Sequence, residues 1–182
     1  NYDLEENYPL VYSHWEGSPC MNYSPLIYGI NVKDVSITGQ GTLDGGADNS
    51  HWWNWHHQVE NTWSEDKTDL QLHDRQALRD MNIEGVSITD RIFGYGHYLR
   101  PNFIQVIGSE RVLLKDFKMI NSPMWLINPV LSKSITIDGV IIKSHGSNND
   151  GCDPESCNGV WIKNCIFDTG DDCISLKSGR DR

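Results

Sequence analysis

The 182-residue sequence predicts a single all-β domain folded as a right-handed parallel β-helix, on the strength of two observations. The second half of the chain is a series of short β-branched stretches, each broken by Gly, Asn or Asp, that recur slightly more than twenty residues apart. The apolar residues of successive stretches fall in equivalent positions, so that stacked units would share one continuous core. No linker separates a second domain.

The repeat is clearest in three stretches that begin at Val112, Ile135 and Val160, which lie 23 and 25 residues apart. Alternate residues of each stretch point to one face, and a residue suited to a bend follows. The segments Val35–Ile37 and Val86–Ile88 look like looser copies. An antiparallel sandwich or barrel would also contain many short strands, but the regular spacing favours the solenoid.

The region from His51 to Asp80 interrupts the strand pattern with polar and aromatic residues, and it predicts an inserted loop with at most one short helix. For its aromatic cluster we expect packing, with contact to a sugar ring or a histidine-based metal site as the alternatives. The cluster comprises His51, Trp52, Trp53, Trp55, His56 and His57.

The charge balance argues against several classes of partner. The chain has 25 acidic and 15 basic residues, a net charge of −10, which repels phosphate backbones and anionic membrane surfaces. No apolar run approaches the roughly 18 residues of a membrane span. We therefore expect neither nucleic acid nor membrane as a partner. We also expect the protein to be a monomer.

The five cysteines do not form a recognisable metal pattern. Cys152, Cys157, Cys165 and Cys173 are spaced by 5, 8 and 8 residues, which matches no zinc motif. We expect small buried hydrophobic side chains, with one disulfide or a metal site as the alternatives.

Two acidic segments carry the chemistry. Asp150 precedes Asp171 and Asp172 by 21 and 22 residues, about one coil of the repeat, so the three carboxyl groups should lie on neighbouring rungs about 4.8 Å apart. Crowded like charges should raise at least one pKa, as the cleavage of a glycosidic bond requires of its acid. Turn chemistry or Ca²⁺ binding would explain the same acids.

Around these acids the sequence resembles glycoside hydrolase family 28, the polygalacturonase family. The family has an Asn-Thr-Asp-Gly segment and, about one coil later, a Gly-Asp-Asp segment; 148–151 matches the first with Asn149 in place of Thr, and 170–172 matches the second. Further similar segments are 39–45 with Trp52-Trp53, Arg100-Pro101, 121–125 and 177–179, so that the resemblance extends over most of the chain.

The resemblance implies a single-stranded, pectin-lyase-like β-helix that hydrolyses α-1,4-galacturonosyl linkages of pectin or polygalacturonate with inversion and without a cofactor or metal. Asp171 would be the general acid, and Asp150 and Asp172 would together activate the attacking water. Asn148 would help to position them. Both neighbouring aspartates reach one cleft only if the backbone bends, which Gly170 would permit.

Lys177 and Arg180 follow the acid pair closely and could bind a galacturonate carboxylate, although a solvated surface pair is the alternative. Asp153 and Glu155 are either supporting acceptors or ordinary turn residues. His97 lies upstream of both acidic motifs, so we assign it no role there.

The family's downstream Gly-His-Gly and Arg-x-Lys segments do not occur in the 182 residues. We therefore expect residues 1–182 to be the N-terminal and central part of one β-helical catalytic domain that continues beyond 182. A secreted or periplasmic location follows only from the polymeric substrate. Endo and exo action stay open, as do plain galacturonan and rhamnogalacturonan substrates. Other classes that fit are a Ca²⁺-dependent pectate lyase and a non-catalytic glycan-binding β-helix.

Overall fold

The computed structural model describes residues 7–56 and 70–180. These residues form one α-helix, α1 (Leu70–Glu84), two 3-10 turns (Trp53–Trp55 and Ile88–Asp90) and fourteen strands. The strands are β1 Leu10–Trp15, β2 Ser18–Tyr23, β3 Ile27–Ile30, β4 Lys33–Thr38, β5 Thr42–Asp44, β6 Ile92–Phe93, β7 Ile104–Ile107, β8 Glu110–Lys115, β9 Lys118–Ile120, β10 Ile127–Val130, β11 Lys133–Asp138, β12 Ile141–Ser144, β13 Asn158–Lys163 and β14 Ile166–Thr169.

Three parallel sheets build the predicted β-helix, which is confirmed. One sheet has the strand order β4-β8-β11-β13, and Val35, Val112, Ile135 and Val160 lie in register across it. This is the register that the repeat predicts. The second sheet is β5-β9-β12-β14, and the third is β3-β7-β10. Parallel pairing throughout these sheets excludes the antiparallel sandwich.

The third sheet continues beyond β10 through isolated bridges. Cys152 bridges Ile127 on one side and Ile174 on the other, and Glu155 bridges Val130 and Lys177 in the same way. The segments 152–155 and 174–177 therefore occupy the next two rungs of this sheet. The acidic motifs lie immediately before these two segments.

Alternate strand residues fill a single core, as the repeat predicts. The side chains of Val112, Leu114, Ile135, Ile137 and Ile142 are all at most 4% exposed and belong to one cluster. Burial of such side chains supplies most of the favourable free energy of folding.

Bends between sheets stack on one another and use residues that tolerate a left-handed backbone. Asp116, Gly139 and Asn164 have φ values of 65°, 68° and 56° at equivalent positions of successive coils. A Cβ atom at Gly139 would lie 2.5 Å from the Oδ1 of Asp116, so glycine is needed there for space as well as for conformation.

The cysteines are all free. Cys20 and Cys152 are buried, as expected of small hydrophobic side chains, and Cys157 and Cys165 are partly buried. Cys173 is exposed, and for it that expectation was wrong.

The sequence did not predict the antiparallel hairpin, β1–β2, at the N-terminal end of the β-helix. β1 and β2 are joined by a two-residue turn, Glu16-Gly17, whose φ values of 45° and 83° suit a tight hairpin. The hairpin covers the outer face of the third sheet: Ser13 Oγ donates to Gln105 Oε1 at 2.7 Å, and Gln105 Nε2 donates to the carbonyl of His14 at 2.9 Å.

The inserted region differs from the prediction, since α1 has fifteen residues and ends beyond Asp80. Its buried face is mostly polar, which hides the usual apolar periodicity; the buried residues are Gln71, Asp74, Leu78 and Asn82. Asp74 accepts hydrogen bonds from the backbone of Tyr98 and pairs with His97. Residues 57–69, which include His57 of the predicted aromatic cluster, lie outside the described residues.

The segment Val86–Ile88 is not a strand, so its interpretation as a copy of the repeat was wrong. Gly85 has a φ of 72°, and the amide of Val86 donates to the carbonyl of Met81, an arrangement that terminates α1. None of the helices among the described residues is long and apolar enough to cross a membrane.

Candidate active site

The three predicted acids meet on adjacent rungs of the third sheet. The amide of Gly151 donates to the carbonyl of Asp172 at 2.9 Å, which fixes the rung of Asp150 directly beside that of the acid pair. One carboxylate oxygen from each of Asp150, Asp171 and Asp172 lies within 4.8 Å of the others. The one-coil spacing thus places all three carboxyl groups together.

Glycine is required at position 170 for space, and not for the backbone bend that the sequence predicted. A Cβ atom there would lie 2.6 Å from the carbonyl oxygen of Gly146, so only glycine fits against the neighbouring coil. The turn itself is held by Thr169, whose hydroxyl donates to the carbonyl of Asp171, and by the Asp171 carboxylate, which accepts the amide of Asp172.

Asp150 is the buried member of the group, whereas Asp171 and Asp172 are exposed. Burial, and then the negative charge of Asp171, raise the pKa of Asp150 to about 6. The ammonium of Lys177, 3.5 Å from Asp150 Oδ2, acts in the opposite direction. A raised pKa is therefore found at Asp150, where burial contributes more than the expected crowding of like charges.

Asp153 lies behind Asp150 and is completely buried. Burial, followed by the charge of Asp150, raises its pKa to about 9. Its Oδ1 is 3.1 Å from the Lys177 ammonium, close enough for an ion pair although the angle is poor for a hydrogen bond. Glu155, also buried, pairs instead with His14 at 2.7 Å.

Asn148 and Asn149 shape the loop that leads to Asp150. Asn149 is fully buried; its Oδ1 accepts from Ser144 Oγ and the Gly146 amide, and its Nδ2 donates to the carbonyls of Ser122 and Met124. Asn148 has a φ of 54° and presents its Oδ1 to Arg100.

Arg100 is a functional residue that sequence reasoning did not single out. Its side chain is fully buried, and its guanidinium donates to the carbonyls of Pro123 and Ser147 at 2.8 and 2.9 Å. It also donates to Asn148 Oδ1 and to Gln71 Oε1 of α1. The Arg-Pro dipeptide was the one available signal, but the dipeptide alone does not indicate which groups the arginine contacts.

A cleft of about 370 Å³ opens over the acids. The acid side of this cleft is formed by Asn148, the three aspartates and Trp125, and Lys177 and Arg180 lie on the following segment. The hairpin tip, Glu16 and Gly17, and Arg75 of α1 also line the cleft.

The two predicted cationic binding residues, Lys177 and Arg180, differ in their contacts. Lys177 contacts Asp150 and Asp153, and its ammonium lies 4.6 Å from the ring centre of Trp125. Arg180 is exposed, and its backbone is held: its amide donates to the Gly17 carbonyl at 2.7 Å, and its carbonyl accepts from Asn82 Nδ2 at 2.6 Å.

The aromatic cluster is used mostly for packing, as expected. Trp52 and Trp55 are buried in one cluster with Tyr23. Trp53 instead lies against Gly146 in the loop before Asp150, and its indole donates to the carbonyl of Ser122 at 2.9 Å.

Comparisons with known proteins decide the family. The family model for glycosyl hydrolases family 28 matches residues 94–182, which contain every one of the predicted site residues. An exopolygalacturonase of Thermotoga maritima is 47% identical in sequence, covers 99% of this chain and superimposes with a TM-score of 0.93. The chain belongs to glycosyl hydrolase family 28.

Two curated members of family 28 are similar over most of the chain. A probable polygalacturonase of Vitis vinifera is 31% identical over 162 residues, 87% of this chain and 26% of the relative. A probable exopolygalacturonase B of Emericella nidulans is 33% identical over 151 residues, 79% of this chain and 27% of the relative. The chain thus spans about a quarter of these relatives, and 40% of the Thermotoga maritima protein.

In this family 28 chain the acidic group also has the oxygen donors that Ca²⁺ prefers. The ammonium of Lys177 lies 3.5 Å from Asp150 and opposes a divalent cation there by direct repulsion. The arrangement therefore suits acid–base chemistry better than cation binding.

Proposed function

We propose that the intact protein hydrolyses α-1,4-galacturonosyl linkages of polygalacturonate with inversion of configuration. The observation that carries this proposal is the meeting of Asp150, Asp171 and Asp172 at one cleft, within 4.8 Å. Membership of a family of glycosyl hydrolases, and relatives named polygalacturonases, support the same chemistry.

The proposed role of each carboxyl group is the one that the family resemblance implies. Asp171, exposed at the cleft, donates its proton to the glycosidic oxygen as the bond from that oxygen to the anomeric carbon breaks. Asp150 and Asp172 accept a proton from the water whose oxygen bonds to the anomeric carbon. Asn148 orients this group from the adjacent loop.

The stereochemical outcome is not assigned from the spacing of the carboxyl groups. Inverting glycosidases commonly separate their carboxyl groups by about 6.5–9.5 Å, whereas oxygens of these three acids lie closer than that. Inversion here is supported by the family resemblance. NMR of the first product tests it, since an α-linked substrate should release the β-anomer.

The decisive variant is Asp171→Asn, with the exposed Asp168→Asn as the matched control, because Asp168 pairs with His145 outside the acidic group. We expect Asp171→Asn to lose nearly all release of reducing ends from polygalacturonate and Asp168→Asn to keep it. Near-normal turnover by Asp171→Asn would refute the assignment. Ultraviolet absorbance from an unsaturated product would indicate a lyase instead, and wild-type protein that binds the polymer without cleaving it would indicate a binding module.

We also propose exo action. The hairpin tip lines the same cleft as the acids, and Arg75 and Arg79 of α1 hold Glu16 there at 2.8 and 3.3 Å. A fixed wall beside the acids accommodates a chain end better than the middle of a polymer. Relatives named exopolygalacturonases support this mode. Early products should be galacturonate units of one short size, and a ladder of oligomers would contradict exo action.

Arg180 is proposed to bind the carboxylate of a galacturonate unit, since its backbone is anchored while its side chain is exposed at the cleft. Because the substrate is a cell-wall polymer, we propose that the protein acts as a secreted or periplasmic enzyme.

A further inference from the structure

Lys177 has a set of contacts that points to the catalytic group and away from the substrate. It lies on the segment that follows Asp172, opposite Glu155 in the third sheet. Its ammonium is 3.1 Å from Asp153 Oδ1 and 3.5 Å from Asp150 Oδ2, and the ring of Trp125 lies beneath it. These contacts leave its side chain 24% exposed.

Asp153 explains why the lysine is held there. A buried carboxyl group is costly unless it is paired or protonated. In the described part of the chain, Lys177 is the one cation within ion-pair distance of Asp153. The ammonium of Lys177 therefore lies within ion-pair distance of both carboxyl groups, Asp150 and Asp153.

Asp150 and Asp153 differ in how readily each carboxyl group binds a proton. Asp153 is the more deeply buried of the two, and burial raises its pKa further than that of Asp150, so Asp153 is the group that keeps a proton. Asp150 then carries the negative charge of the pair, next to the ammonium. The ammonium thus faces the carboxyl groups of Asp150 and Asp153, and a galacturonate carboxylate would have to compete with them.

We propose that Lys177 is a positioning residue of the hydrolytic reaction: anchored by Asp153 and Trp125, its ammonium holds Asp150 in the ionised state that accepts a proton from water. This inference rests on the proposed hydrolase function. It assigns the two predicted cations of the cleft different tasks, with Lys177 acting on the base and Arg180 facing the substrate.

Other charged groups also face Asp150, and each belongs to an element around the cleft. They are Asp171 and Asp172 of the next coil, Glu16 of the hairpin, Arg75 of α1 and Arg180. Asp171 acts on the pKa of Asp150 more strongly than the ammonium of Lys177 does, and in the opposite direction.

Lys177→Met tests the proposal, because methionine keeps the length of the side chain and removes its charge. The pKa of Asp150 should rise when the ammonium is lost, so the acidic limb of the pH profile of kcat/KM should move upward by about one unit or more. KM at high pH should change little. Lys177→Arg, which keeps the charge, should restore most of the wild-type limb.

Two further variants make the result interpretable. Lys163→Met removes an exposed lysine that pairs with Asp138 on the far side of the same coil, and it should leave the profile unchanged. If Lys177→Met folds poorly, the double variant Lys177→Met/Asp153→Asn removes both groups and should show the same upward shift. A large rise in KM with an unmoved acidic limb would overturn the proposal and assign Lys177 to the substrate.

A readout without turnover separates this proposal from the function itself. The infrared band of the protonated Asp150 carboxyl group, assigned by its loss in Asp150→Asn, can be followed against pH in wild-type protein and in Lys177→Met. Wild-type protein that fails to hydrolyse polygalacturonate contradicts the proposed function, whereas an unshifted titration of Asp150 in Lys177→Met contradicts the role of Lys177.

Discussion

The buried guanidinium of Arg100 donates a hydrogen bond of 2.8 Å to Oδ1 of Asn148, two residues before the buried acid of the site. The same guanidinium also reaches two backbone carbonyls and α1. A planar group with five donors can serve four acceptors at once, and an ammonium cannot. Arg100 therefore ties the loop of Asp150 to α1.

Arg100→Lys should damage both stability and activity. Because each hydrogen bond from a charged donor contributes about 1.5–3 kcal/mol and buried acceptors would be left unpaired, we expect the free energy of unfolding to fall by about 2–4 kcal/mol. A displaced Asp150 loop should lower kcat about ten- to a hundredfold. Denaturant unfolding and steady-state kinetics measure the two effects.

The matched control for this variant is Arg79→Lys, at a third-exposed guanidinium that contacts Glu16. It should change the free energy of unfolding by less than about 1 kcal/mol. Equal losses in the two variants would mean that burial of Arg100 has no special consequence.

The pH dependence of wild-type activity should report Asp150. Its pKa is raised to about 6, so below that pH it is protonated and cannot accept a proton from water. We expect kcat/KM for polygalacturonate to fall about tenfold per pH unit below about 6. An acidic limb near the ordinary aspartate pKa of about 4 would contradict the assignment of Asp150 as a base.

Asp153 should make stability depend on pH in the opposite sense to an ordinary salt-bridged aspartate. Its pKa is about 9 in the folded state, above its unfolded value, so folding binds a proton throughout the interval between the two. The stabilisation is complete below the unfolded pKa and is lost as the pH rises toward about 9.

Asp153→Asn provides the test of that dependence. The free energy of unfolding of the wild type should fall between about pH 6 and 8, with a limiting slope of about 1.4 kcal/mol per pH unit, and Asp153→Asn should flatten this slope. Urea unfolding at several pH values measures it. Parallel slopes in the two proteins would show that Asp153 is ionised in the folded state.

The repeat of the second half made most of the fold predictable, because parallel strands one coil apart align residues such as Val112, Ile135 and Val160 in strict register. The hairpin β1–β2 and the length of α1 were not predictable in this way. Both bury polar groups, including Gln105 against the hairpin and Asp74 of α1, so neither produces a simple apolar period.

The same register made the meeting of Asp150 with Asp172 predictable. Contacts that cross between unlike elements were not, because no spacing rule links Arg100 to Asn148. The pairing of Lys177 with Asp153 was missed for another reason: nothing in a sequence of charged residues reveals that one carboxyl group is completely buried.

Arg180→Gln tests the last of the proposed binding roles. Its amide and carbonyl are fixed by Gly17 and Asn82, so the substitution should leave the backbone in place and remove only the charge at the cleft. Loss of a charge-assisted hydrogen bond, about 1.5–3 kcal/mol, should raise KM for oligogalacturonides about ten- to a hundredfold with a smaller effect on kcat. Arg111→Gln, at an exposed arginine bound to Asp34 on the outer face of another sheet, should leave KM unchanged. If Arg180→Gln has the kinetics of the Arg111→Gln control, the galacturonate carboxylate is bound by another group.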